Sequence, residues 1–288
     1  MSTFPRTTVG GVSVPRLICG SNWMLGFSHQ THAKDQFIKE LFDTPQKVAD
    51  VVEVFARAGC NAFMSGATPF VAQALREVEQ RVGVEMLWIA TPSYPEWGDP
   101  PAGERSSAAL LDTWKQAVAD TKRLGAQFCF PHQGVTDPLL DRSNHQLSPL
   151  LVDHLRQVRE MDMIPGLSSH APEAIICSDA CDADVATYIQ PYNAIGFLCQ
   201  VETDWLRRVF QQAKKPVMTI KPMAAGRLSP ETGLAFVWNS LRDCDMVTAG
   251  CMSTYEAEEV IELSLACLER RTPKTDLQFT RSKRSLVY

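Results

Sequence analysis

Short apolar runs and amphipathic segments alternate along the whole chain of 288 residues. Runs of four to six residues bounded by turn residues predict buried strands, and the segments between them predict helices. The predicted strands are residues 15–19, 61–65, 85–90, 126–131, 163–167, 186–190, 216–220 and 246–250. Eight strand–helix units favour a parallel sheet that is covered by helices and closed on itself, which is the (β/α)8 TIM barrel of the α/β class.

A short β-hairpin is predicted ahead of the barrel. Small and β-branched residues alternate over residues 7–14 around a Gly10–Gly11 turn, the pattern of a tight hairpin. No shift in composition divides the chain, so we expect one TIM-barrel domain over residues 1–288. The hairpin lies in residues 1–14 of that domain and a polar tail in residues 273–288.

Individual residues predict where some helices begin and where loops lie. Thr44 before Pro45, and Ser148, predict N-caps. The stretch between the first strand and Thr44 reads as a long loop, and a second loop rich in proline and glycine covers residues 95–103.

Composition narrows the class of protein. The hydrophobic fraction of 45% supplies a full core, and a net charge of −5 without a basic face argues against nucleic acid as a partner. No apolar run reaches membrane-spanning length, and the first residues lack the core of a signal peptide. Nine cysteines without a CxxC pair are typical of reduced thiols. We therefore expect a soluble, cytoplasmic protein that binds a small-molecule substrate. Its oligomeric state stays open.

Polar side chains gather where the predicted strands end, which is the face of a barrel where chemistry takes place. His132 and His170 follow strands four and five, so their imidazoles are expected to meet over one pocket as acid and base. Lys221 ends strand seven, and we assign these three as the candidate catalytic residues. The candidate substrate-binding residues are Asn22, His29, Tyr94, Ser168 and Asn193.

Three roles are open for Lys221. A Schiff-base nucleophile requires a pKa that apolar burial or a neighbouring cation lowers. An anion partner stays charged and holds a phosphate or carboxylate. A structural lysine pairs with a nearby acid.

A metal site is a further hypothesis. His29 and His32 are spaced so that a helix would place both rings on one face, and His132, or alternatively His170, would complete a three-nitrogen site of the kind that holds catalytic zinc. The alternative is that His32 is simply exposed and that Asp35 caps a helix.

Several motifs together resemble the aldo-keto reductase superfamily. They are the hairpin at residues 8–13, the segments 57–63, 166–170 and 190–193, the loop 221–228 and the turn 250–253. The resemblance spans nearly the whole chain and implies a barrel that transfers hydride from NADPH. If NAD(P) binds, the residues implied are Lys221, Ala225, Gly226, Arg227, Gly250 and Ser253. Free N–H groups at the start of the last helix favour an anion there, whereas Glu256, Glu258 and Glu259 in its first turns oppose a phosphate.

The family's catalytic tetrad mostly fails at the matching positions. The Asp position holds Met64, the Tyr position falls at Pro69 or Phe70, and the Lys position holds Pro92. Only the His position matches, as His132. Reduction of a carbonyl needs a proton donor to the developing alkoxide, and none of the replacing side chains can donate one.

We therefore expect an enzyme that acts on a small hydroxylated substrate, sugar-like or an oxo acid, by histidine-based proton transfer, as an isomerase, epimerase or lyase. One alternative is an NAD(P)H-dependent oxidoreductase whose proton donor is His132 or Tyr94. Another is an inactive barrel that binds a metabolite or a partner protein. NAD(P) and a divalent metal are the two cofactors left open.

Overall fold

The computed structural model describes residues 4–94, 106–275, 277–278 and 281–286. The strands are β1 (Arg6–Val9), β2 (Val12–Pro15), β3 (Leu17–Gly20), β4 (Ala62–Ser65), β5 (Leu87–Ala90), β6 (Phe128–Cys129), β7 (Leu140–Asp141), β8 (Gln146–Leu147), β9 (Ile164–Pro165), β10 (Leu167–Ser168), β11 (Tyr188–Pro191), β12 (Val217–Ile220) and β13 (Met246–Gly250). The helices are α1 (His32–Leu41), α2 (Pro45–Arg57), α3 (Pro69–Val82), α4 (Ser107–Leu124), α5 (Gln133–Thr136), α6 (Pro149–Glu160), α7 (Glu173–Ala180), α8 (Thr203–Gln212), α9 (Pro230–Ser240) and α10 (Thr254–Glu269).

The sheet is parallel and its strands follow the order β10, β11, β12, β13, β3, β4, β5, β6, β9. Its two outermost members are halves of one strand, because β9 pairs with β6 and β10 pairs with β11. Pro165 has no N–H to donate, and a Cβ at the adjoining Gly166 would lie 2.7 Å from the Phe130 ring. The single strand predicted at residues 163–167 is therefore divided into β9 and β10. The barrel closes through this pair, because β9 bonds to β6 on one side and β10 bonds to β11 on the other.

The predicted hairpin is confirmed and plugs the amino end of the barrel. Strands β1 and β2 pair antiparallel with Val9 opposite Val12. Val9 and Val14 are buried in one cluster with barrel-interior residues such as Ile18, Ile89 and Met218. A second and larger apolar cluster fills the layer between the sheet and the helices. The amino end of the barrel is therefore filled by the hairpin.

Helix α1 occupies part of the stretch expected to be a loop. Thr31 caps it by accepting from the Lys34 N–H at 3.2 Å, and Ile38 is its single buried residue. A helix that buries a single side chain shows little of the three-to-four-residue spacing of apolar positions by which helices are predicted from sequence. The Ser148 cap of α6 is confirmed by its bond with the Leu151 N–H, whereas Thr44 precedes α2 without a side-chain cap bond.

Two predicted segments lie wholly or partly outside the described residues. They are the loop 95–103 and the tail 273–288, of which residues 281–286 form a 3-10 turn. Within the described helices, none combines the length and the apolarity that crossing a membrane requires.

Candidate active site

A cavity of about 1290 Å³ opens at the carboxyl ends of the barrel strands. All eight strand positions contribute to its wall, through Ser21, Ser65, Thr91, His132, His170, Ile189, Lys221 and Gly250. This is the end at which parallel barrels place their catalytic groups. The predicted residues that line it are Asn22, His29, His132, Ser168, His170, Lys221, Ala225, Gly226, Arg227 and Gly250.

Lys221 reaches this cavity from a strained backbone. It directly follows β12 and has φ +64°, while Ala224 and Ala225 in the same loop have φ +49° and +56°. Residues other than glycine adopt this left-handed conformation at a cost of roughly 1 kcal/mol each, and such strain clusters at functional sites. The loop is held by Gln30, whose side-chain amide donates to the Ala225 carbonyl at 2.7 Å, and by Arg227, which donates to the Ala224 carbonyl at 3.1 Å.

The Lys221 ammonium has no hydrogen bond and no ion pair within the described part of the chain. Burial lowers the pKa of Lys221 from its ordinary 10.5 to about 8, and Cys199 opposes this shift only in part. The structural role, in which the lysine pairs with an acid, is therefore not the one that the described residues support. An unpaired ammonium in a cavity is instead available to an incoming anion or carbonyl.

Three imidazoles surround Lys221. Burial, and then the charge of Lys221, lowers the pKa of His132 to about 4 and likewise that of His170 to about 4. The pKa of His29 is lowered by the same two causes. All three rings are therefore neutral at pH 7, which leaves Lys221 as the charged member of the cluster.

Hydrogen bonds fix the tautomers of two of these rings. His132 accepts from the Gly134 N–H through Nδ1 at 3.3 Å, so its proton lies on Nε2. Asn22 lies 3.1 Å from Nε2 of His29; because the amide nitrogen only donates, the proton of this imidazole lies on Nδ1. The ring of His170 has no hydrogen bond to any described residue.

Asp137 positions His170 and was missed by the sequence analysis. Its carboxylate accepts from the Ser169 hydroxyl and, at 3.4 Å, from the His170 N–H. Burial raises the pKa of Asp137, and these hydrogen bonds oppose that shift. Only its place in the loop after strand four could have indicated this role.

The outer part of the cavity is also cationic. Arg227 stacks over Phe197 at 4.1 Å from the ring centroid, and Lys34 lies 4.7 Å from the Phe37 ring. Among the described lining residues the carboxylates are Asp120 and Glu256. Asp120 bonds to Arg123 at 2.8 Å, and Glu256 accepts from the Met252 N–H at 2.7 Å. Both carboxylates are thus engaged, and the cavity as a whole favours a negatively charged ligand.

Two residues predicted to bind substrate, Tyr94 and Asn193, are not among the described residues that line the cavity. The Tyr94 hydroxyl lies 2.8 Å from Nε2 of His154, whose Nδ1 donates to a carbonyl, so the hydroxyl is the donor. This pair packs between α4 and α6, outside the cavity wall. Asn193 is fully buried, and its side-chain amide binds the backbone of Phe197: it accepts from the N–H at 2.8 Å and donates to the carbonyl at 3.0 Å.

Ser253 and the histidine metal site also differ from expectation. Ser253 caps α10 by accepting from the Glu256 N–H at 3.1 Å and does not line the cavity. His32 is exposed on α1 beside Gln36, away from the His29–Asn22 pair. No three His, Cys, Asp or Glu side chains come together as a metal-binding group anywhere in the described ranges. The trio His29, His32 and His132 therefore does not form a site, because α1 turns His32 outward.

Comparison with solved structures defines the class of this barrel. A structure from Pseudomonas aeruginosa that is assigned as an aldo-keto reductase matches with a TM-score of 0.60 at 14% identity, over 91% of this chain and 95% of the other. An aldo-keto reductase of Brucella melitensis matches with a TM-score of 0.55 at 12% identity, over 91% and 93%. The thermostable aldo-keto reductase Tm1743, solved with the inhibitor epalrestat, gives 0.55 at 14%, over 98% and 97%.

The protein therefore has the aldo-keto reductase fold, as the sequence motifs predicted. No protein-family model and no curated protein matches the sequence. Met64 and Pro92, at the positions where the sequence resemblance places two tetrad residues, line the cavity together with His132. No tyrosine is present among the described residues that line the cavity.

Proposed function

We propose that the protein is an enzyme that moves protons next to the carbonyl group of a small, anionic, hydroxylated substrate, as an isomerase, epimerase or lyase. One observation carries the proposal: the Lys221 ammonium lines the cavity among neutral imidazoles and has no hydrogen-bond or ion-pair partner among the described residues. Proton abstraction beside a carbonyl needs a base and a group that stabilises the oxygen as it becomes negative. The cluster supplies both.

The hydrogen bonds divide the roles. His170 is the base, because its ring has no partner among the described residues and burial keeps it neutral. His132 carries its proton on Nε2 and donates toward the carbonyl oxygen, with Lys221 stabilising the developing charge. Asn22 and Ser168 face the same cavity and suit the hydroxyl groups of the substrate.

Hydrogen–deuterium exchange in D2O tests this function. Pyruvate, dihydroxyacetone and dihydroxyacetone phosphate are incubated with the protein, and loss of the proton next to the carbonyl is followed by NMR. We expect enzyme-dependent exchange that falls by about 100-fold or more in His170→Ala, the contribution typical of a general base. The control is His32→Ala, an exposed histidine outside the cavity. Equal exchange in wild type and His170→Ala would remove His170 as the base.

An NAD(P)H-dependent oxidoreductase is the second candidate, and the fold of the matched reductases favours it. The cavity continues along the Lys221 loop to Arg227 and Gly250, where the resemblance places the cofactor. His132 is then the proton donor, because the hydroxyl of Tyr94 is bonded to His154. The residues fit the diphosphate through Lys221 and Arg227, whereas Glu256 at the start of α10 opposes a further phosphate.

Fluorescence titration with NADPH and NADH separates these candidates. Saturable quenching together with carbonyl-dependent oxidation of the nucleotide supports the oxidoreductase. Proton exchange without nucleotide binding supports the acid–base enzyme. If neither activity is found, the remaining candidate is an inactive barrel that binds an anion. Its test is whether citrate or inorganic phosphate raises the melting temperature of the protein.

A further inference from the structure

Lys221 differs from the other buried cations of this protein. Arg16 donates to the carbonyls of Asp245 and Arg242 at 2.9 Å each, and Arg242 pairs with the Asp245 carboxylate at 2.7 Å. Buried cations without such partners are costly. The barrel thus satisfies these arginines at its amino end and leaves Lys221 without a partner in the described chain.

We propose that Lys221 forms an iminium, or Schiff base, with the carbonyl carbon of a small 2-oxo substrate, so that His170 removes a proton from the iminium rather than from the free carbonyl. This inference rests on the proposed function for the class of substrate. It adds a covalent step that neither the fold nor the residues at the tetrad positions imply.

The surroundings of Lys221 meet the requirements of an amine nucleophile. Apolar side chains of Met64, Ile189 and Ile220 line the cavity with it, and none of the described carboxylates pairs with its ammonium. Burial brings the pKa of Lys221 to about 8, so about one molecule in ten carries the neutral amine at pH 7. The backbone of Lys221 has a left-handed conformation, and the hydrogen bond from Gln30 to the Ala225 carbonyl holds the loop that follows. Together they fix the position of the Lys221 Cα, from which the side chain extends.

The step balances without a further reactant. The neutral Nζ attacks the carbonyl carbon, a C–N bond forms, and the carbonyl electron pair moves to oxygen. This oxygen takes a proton from Nε2 of His132, and the nitrogen loses one to solvent or to the imidazole, which gives the carbinolamine. Its hydroxyl then takes another proton and leaves as water, and the nitrogen lone pair forms the C=N⁺ bond. The net change is amine, proton and ketone to iminium and water.

Reductive trapping tests the iminium in the unmodified protein. The full chain is incubated with pyruvate and sodium cyanoborohydride, and each lysine is mapped by peptide mass spectrometry. We expect Lys221 to be alkylated at least tenfold more than Lys215, a lysine just before β12 at the closed end of the barrel, with labelling that rises as the pH approaches 8. In Lys215→Met the label at Lys221 should be unchanged, and in Lys221→Arg it should be lost.

Loss of ¹⁸O from labelled pyruvate gives a second measurement, because iminium formation expels the carbonyl oxygen as water. Proton exchange by wild type without a label on Lys221 and without accelerated ¹⁸O loss would refute the Schiff base and leave the proposed function intact. Labelling and ¹⁸O loss without proton exchange would support the Schiff base and refute the acid–base proposal. Absence of labelling, ¹⁸O loss and proton exchange would refute both.

Discussion

Replacing Lys221 by methionine removes the charge and nearly preserves the length of the side chain. Burial lowers the pKa of Lys221 from 10.5 to about 8, and one pKa unit corresponds to about 1.4 kcal/mol. The ammonium therefore costs the folded protein about 3 kcal/mol at pH values below 8. We expect Lys221→Met to raise the free energy of unfolding at pH 7 by up to that amount while it abolishes proton exchange.

Urea denaturation at pH 7 and pH 10.5 measures this effect. The folded pKa of Lys221 is below the unfolded one, so between about 8 and 10.5 the unfolded chain binds more protons at this site. Its contribution to wild-type stability therefore rises with pH across this interval. Because Lys221→Met lacks this titration, its advantage should shrink towards zero at pH 10.5.

Lys215→Met is the matched control, since this lysine lies before the amino end of the same strand. We expect its free energy of unfolding to stay within about 0.5 kcal/mol of wild type, as for most surface substitutions. Methionine at φ +64° meets the same backbone strain as lysine. If Lys221→Met is less stable than wild type by about 1 kcal/mol or more at pH 7, the ammonium stabilises the fold and the reasoning fails.

Other predictions address the surrounding groups. Tyr94→Phe deletes the hydrogen bond to His154, so we expect the free energy of unfolding in urea to fall by about 1 kcal/mol with proton exchange unchanged. Reduced exchange would show that the Tyr94 hydroxyl takes part in the reaction. Glu256→Ala frees the Met252 N–H, and we expect tighter binding of inorganic phosphate by calorimetry; unchanged binding would show that the carboxylate does not block an anion there. As the pH falls from 7, exchange should decrease with the neutral fraction of Lys221 and decrease more steeply near pH 4, where His170 becomes charged; an additional step centred near pH 6.5 would contradict the lowered pKa of the His170 ring.

The barrel is predictable from the sequence because its strands are short apolar runs between clear turn residues. Residues 246–250 were predicted as a strand and form β13 with the same bounds. Lys221 follows β12 as expected. Helix α1 was missed because Ile38 is its single buried residue, and the division of the fifth strand was missed because it depends on how Gly166 meets Phe130.

The candidate site was predictable in part. Any residue that follows a parallel strand points towards the same end of the barrel, which placed His132, His170 and Lys221 on one cavity. The exclusion of Tyr94 was not predictable, because its partner His154 lies 60 residues further along the chain. Pairings between distant elements leave no local pattern in one sequence. The pKa shifts follow from burial and from cations that only the fold brings together.

The two ends of the barrel differ in how far they satisfy the groups they bury. At the amino end Arg242, Asp245 and Arg16 form a bonded network. At the carboxyl end three non-glycine residues of the Lys221 loop have positive φ, at roughly 1 kcal/mol each. The burial of the Lys221 ammonium, which has no partner among the described residues, adds about 3 kcal/mol. Together these costs are about 6 kcal/mol, comparable with the whole stability of many domains. Packing alone would favour methionine at residue 221 and relaxed backbone after β12. These costs are the physical reason for placing the proposed chemistry at Lys221.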